Sequence, residues 1–69
     1  MNGEEWEHAK VGDRVVVINA DGVPLYHGTI ADKTGPKTAM IKVGATGGRP
    51  ILRLFYIGDI KPEHYARMH

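Results

Sequence analysis

Four consecutive β-branched residues, Val15-Val16-Val17-Ile18, constrain this chain more than any other feature. Branching at Cβ stiffens χ1 and favours extended backbone. Strand alternation places Val15 and Val17 on one face and Val16 and Ile18 on the other. Both faces are therefore apolar, so the strand is either covered twice or shows one face to a partner. Turn formers bracket the run: Gly12-Asp13 before it, and Asn19, Asp21 and Gly22 after it.

Further short extended runs follow, each cut off by glycine or proline. Pro24 lacks a backbone donor and belongs at a strand start or edge. The second strand is predicted from about Leu25 to Ala31, with Tyr26, Gly28 and Ile30 on one face. A glycine inside a strand marks a bulge, a bend or a close backbone approach, and Gly28 is read as a bend. A loop over 32–37 contains Gly35-Pro36. The third strand is predicted over 38–43, with Ala39, Ile41 and Val43 inward and Met40 and Lys42 outward. Gly44 to Gly48 reads as a flexible hairpin connection. The fourth strand is expected from Pro50 through Leu54, then a single helical turn over 55–59, then a last short strand at Ile60-Lys61.

Both ends read as helical. Asn2 can cap a short helix whose Glu4 and Glu5 sit at its positive end. Trp6 and Ala9 share a face that can close one end of the core. Pro62 suits the first turn of a C-terminal helix, which Tyr65 and Met68 would dock. The expected fold class is all-β: a small five-stranded barrel over 11–62, an N-terminal helical segment over 1–10 and a C-terminal helical tail over 63–69.

Sixty-nine residues allow one domain. A chain of that size buries only ~60% of its unfolded surface, which makes oligomerisation a natural supplement. No cysteine is present, which excludes disulfides and zinc-thiolate centres. No apolar run approaches the ~20 residues of a membrane span. The acidic start MNGEEWEHAK lacks the apolar core of a signal peptide. These readings lead to the expectation of a cytoplasmic protein without a membrane partner.

The quoted stretches "VGDRVVVINADG", "YHGTIADKTG", "AMIKVGATGGRP" and "LRLFYIGDIKP" together resemble an SH3-like barrel of the KOW or Tudor kind. The matching positions are Gly12-Asp13, Val15, Val17, Gly28, Ile30, Ile41, Val43, Gly48-Arg49 and Leu54. The loop "NADGVPL" departs from the KOW pattern and is closer to the Asp-Gly of Tudor-like domains. The resemblance implies a binding module, with nucleic acid, a ribonucleoprotein or a transcription complex as partner.

Charge distribution adds to that expectation. The net charge is only +1, but residues 33–53 carry Lys33, Lys37, Lys42, Arg49 and Arg53 with no acid among them. Such a stretch suits phosphate neutralisation with little base reading. The alternative is a small regulatory or phage-type protein that binds a larger machine through an apolar strand face or sheet edge. For it, Val16, Ile18, Tyr26, Phe55 and Tyr56 are the candidate contacts. A homo-oligomer fits either reading.

Catalytic motifs are weak. Asp32-Lys33-Thr34-Gly35 matches the phosphorylation motif of P-type ATPases letter for letter, yet that chemistry needs a large α/β domain. It reads instead as a turn. "GATGGRP" has phosphate-loop glycine density, but Pro50 and a strand follow where a helix is required. His8, His27, His64 and His69 lack the spacing of helical metal ligands. No nucleophile arrangement surrounds His27. The expectation is a non-enzymatic protein with no catalytic residue, metal or cofactor.

Overall fold

The computed structural model describes residues 1–44 and 48–68. In chain order it contains α1 (Gly3–His8), β1 (Arg14–Ile18), β2 (Pro24–Asp32), β3 (Thr38–Val43), β4 (Ile51–Tyr56), a 3-10 turn (Ile57–Asp59), β5 (Ile60–Pro62) and a terminal 3-10 segment (Glu63–Met68). All strand pairings are antiparallel, in one five-stranded sheet of order β4-β3-β2-β1-β5. The all-β expectation therefore holds at the level of one antiparallel sheet.

α1 begins where the sequence supplies a reciprocal cap. Asn2 Oδ1 accepts from the Glu5 amide at 2.7 Å, and the Asn2 amide donates to Glu5 Oε1 at 3.0 Å. The inward face of α1 carries Trp6, which is almost wholly buried. The α-amine of Met1 is also turned inward, donating to the carbonyls of Ile57 and Ile60. Burial, and secondarily Lys61, push its pKa below the ordinary 8.0, against the smaller opposing pulls of Glu5 and Asp59.

Strand alternation sorts the sheet residues as the sequence indicates. Val15, Val17, Ile30, Ala39, Ile41 and Ile60 face one way and form the core with Trp6 and Ile57. Gly28 lies between them, facing Val15 on one side and Val43 on the other. A Cβ there would stand 2.6 Å from Ile41 Cγ2 and 3.0 Å from the Lys42 carbonyl oxygen. Glycine is thus required by close approach rather than by the bend expected from the sequence; the irregularities in pairing lie instead between Val17 and Ile18 and between Ile30 and Asp32. Gly12 and Gly22 have φ of 99° and 80°, where a side chain is disfavoured.

Val16 points to the opposite face and is nonetheless fully buried. The terminal 3-10 segment packs on β1, and its Tyr65 hydroxyl donates to the Gly22 carbonyl at 2.8 Å. The doubly apolar strand is thus covered twice, once by the core and once by the C-terminal segment. The expected docking role of Met68 concerns a side chain outside the described residues.

Several boundaries differ from expectation: β2 runs from Pro24 through Asp32, β4 begins at Ile51 rather than Pro50, and Pro62 ends β5 instead of opening the C-terminal segment. Phe55 and Tyr56 belong to β4, not to a helical turn, because Phe55 pairs with Ala39 and Tyr56 with Thr38. The 3-10 turn starts only at Ile57, whose amide donates to the Lys37 carbonyl at 3.0 Å. The expected hairpin over 44–48 falls partly on residues 45–47, outside the described residues. Among the described residues no helix is long and apolar enough to cross a membrane.

Candidate functional site

Each basic residue of the 33–53 stretch has its own environment. Lys33 turns back on α1: its ammonium donates to the carbonyl oxygens of Trp6 (2.6 Å) and Ala9 (2.9 Å), with a longer contact to Glu7 (3.4 Å). A cation there completes the unpaired carbonyls at a helix C-terminus. Lys37 is exposed in the following loop, near Trp6 and Pro36. Lys42 is exposed on the outer face of β3, while Arg53 pairs with Ile41 and so lies on the opposite face. Arg49 is exposed just ahead of β4. The five cations do not share one surface.

The "DKTG" stretch is the seat of α1. Trp6 Nε1 donates to the Gly35 carbonyl at 2.9 Å, and the Thr34 and Thr38 hydroxyls are 2.9 Å apart. Lys33 holds the helix end and Gly35 receives the indole, while Asp32 and Thr34 are exposed.

A different basic group forms on the outer face. Arg14, Thr29 and Lys42 occupy one cross-strand row, because Arg14 pairs with Thr29 and Thr29 with Lys42. His27 follows Thr29 on the same face. These four line an open depression of about 440 Å³. Glu63 stands 3.2 Å from Arg14 and 3.9 Å from His27. Neither Arg14 nor His27 carries a binding signal in the sequence, since neither lies in a charged run.

The apolar candidates divide sharply. Val16 is sealed beneath the C-terminal segment, and Ile18 is half-buried at the end of β1. Tyr26 and Phe55 are half-buried at the rim of the core, ring centres 6.4 Å apart and inclined at 54°. Tyr56 is 69% exposed, and it is not alone. Leu52 (59%) and Leu54 (60%) stand on the same face of β4, and Ile51 is half open on the other. The sequence signal for Leu52 and Leu54 was present, in an apolar run "ILRLFYI" on both parities, but it reads equally as a buried strand.

β4 ends the sheet and pairs only with β3 among the described strands. Its outer edge therefore presents unpaired backbone donors and acceptors. The other edge, β5, is three residues long and ends in Pro62, which gives it two of the usual protections. β4 has six residues and a single charge, Arg53. The C-terminal segment covers the β1 part of the outer face, leaving Leu52, Leu54 and Tyr56 open.

A wider groove of about 720 Å³ runs between α1 and the C-terminal segment, bordered by Glu4, Glu5, His8, Glu63 and His64. Among the described residues no group of three or more His, Cys, Asp or Glu side chains is placed to hold a metal ion. No family model matches the chain, and neither the curated proteins nor the solved structures contain a significant match to it.

Proposed function

We propose that this chain is a non-enzymatic protein-interaction module of SH3-like architecture that captures an extended segment of a partner along β4. The observation that carries this reading is an unprotected six-residue edge strand with Leu52, Leu54 and Tyr56 all more than half exposed on one face. Edge backbone groups supply affinity in such strand addition, and alternate side-chain pockets supply specificity. The sheet order, with β1 between β2 and β5, supports the SH3-like part of the reading. A cytoplasmic partner within a larger machine suits a small module of this kind. The test is capture from a nuclease-treated host lysate by wild type and by Leu54→Lys. The reading predicts a nuclease-resistant protein partner that Leu54→Lys loses; equal capture by both would overturn it.

A second reading keeps nucleic acid as the ligand, supported by the Arg14, His27 and Lys42 group on the outer face. Phosphate contacts of this kind weaken with salt, by about one power of salt per neutralised phosphate. Arg14→Ala with Lys42→Ala should flatten the salt dependence of oligonucleotide binding. Absence of binding at ~50 mM salt would remove this reading.

A further inference from the structure

We propose that the open edge of β4 is self-complementary and pairs two copies of this chain antiparallel, with Leu54 opposite Leu54 across the two-fold axis. The proposal rests on the reading of β4 as a docking edge and names its occupant as a second copy.

Register follows from parity and charge. A two-fold axis perpendicular to an extended sheet keeps each face continuous, so residues that face each other must have the same parity. Two such registers pair five of the six residues of β4 (Ile51–Tyr56). One sets Arg53 opposite Arg53. Facing side chains there start from Cβ atoms only about 4.5–5.5 Å apart, and like charges directly opposite are destabilising.

The other register sets Leu54 opposite Leu54, Leu52 opposite Tyr56, and Arg53 opposite Phe55. Each guanidinium then meets an aromatic ring from the second copy, a favourable pairing that occurs twice by symmetry. On the other face, Leu52, Leu54 and Tyr56 meet their counterparts in one unbroken apolar row. These are the three large apolar side chains most exposed on this strand, at 59%, 60% and 69%. The single charge of β4 thus selects the register that hides the apolar row. No acidic residue is needed from the second copy, and none lies on β4 to attract a different basic strand.

The absence of cysteine from the sequence makes the register directly readable. Leu54→Cys should form a covalent dimer with a short bis-maleimide. Arg53→Cys and Phe55→Cys should each cross-link poorly alone, and at least several-fold better when mixed. Leu54→Lys should sediment as a monomer with an unchanged circular dichroism spectrum, since Leu54 lies outside the core. Cross-linking of Arg53→Cys alone above the mixed pair would overturn the register. A wild-type chain that is monomeric at millimolar concentration would overturn self-pairing. If that monomer still captured a host protein through Leu54, the docking-edge reading would stand; if it captured nothing, both would fall.

Discussion

The ammonium of Lys33 stands 4.8 Å from the centre of the Trp6 ring while donating to the carbonyl oxygen of Trp6 itself. One side chain from the end of β2 thus holds both the ring and the backbone end of α1. Charge-assisted hydrogen bonds and a cation over an indole together are worth about 1–2 kcal/mol in a partly exposed setting. Lys33→Gln is expected to lower stability by that amount in urea unfolding. It should also raise the exposure of Trp6, visible as a red shift in its fluorescence. Unchanged stability and emission would show that α1 is held by its buried face alone.

Gly28 should tolerate no side chain. A Cβ would meet Ile41 Cγ2 at 2.6 Å, and the strand cannot retreat because it is paired on both sides. Overpacking of this kind costs about 1–3 kcal/mol, a large share of the stability of so small a domain. Gly28→Ala is expected to lower the melting temperature markedly. Combining it with Ile41→Ala should destabilise by less than the sum of the two changes. Additive losses would indicate that the clash is not with Ile41.

The buried amine of Met1 gives stability a pH dependence of known sign. Its folded pKa lies below the ordinary 8.0, chiefly through burial. Between the folded and unfolded values the unfolded chain holds more protons, so stability rises as pH rises through that window. Above 8.0 the amine is neutral in both states and its contribution levels off. Titration of the Met1 amine by NMR should give a midpoint below 8.0 in the folded chain. A midpoint at or above that value would contradict burial as the dominant influence on the amine.

Much of this fold was legible in local sequence. Thr38–Val43 emerges at its expected bounds because its inward residues alternate without interruption. Asn2 announces the helix cap, although Glu5 reads in the sequence only as a charge at the positive end and proves to be the other half of the cap. The fate of Phe55 and Tyr56 was not legible, since their strand state depends on pairing with Ala39 and Thr38, far away in sequence. Lys33 is the sharper case. In the sequence it is one of five cations in an acid-free run; in the structure its contacts come from residues 24 to 27 positions earlier. Charge runs carry no record of such long-range partners. The exposed face of β4 was equally hidden, because apolar residues on both parities describe a buried strand as well as an open one.

Amide hydrogen exchange along β4 tests the central claim most directly. It should be measured on the Leu54→Lys monomer, on wild type alone and on wild type with a captured partner. The docking-edge account predicts fast exchange at alternate amides of Ile51–Tyr56 in the monomer, and slow exchange at those same amides once the edge is occupied. Protection confined to the outer face around Arg14, His27 and Lys42, with the β4 amides exchanging alike in all three samples, would contradict it.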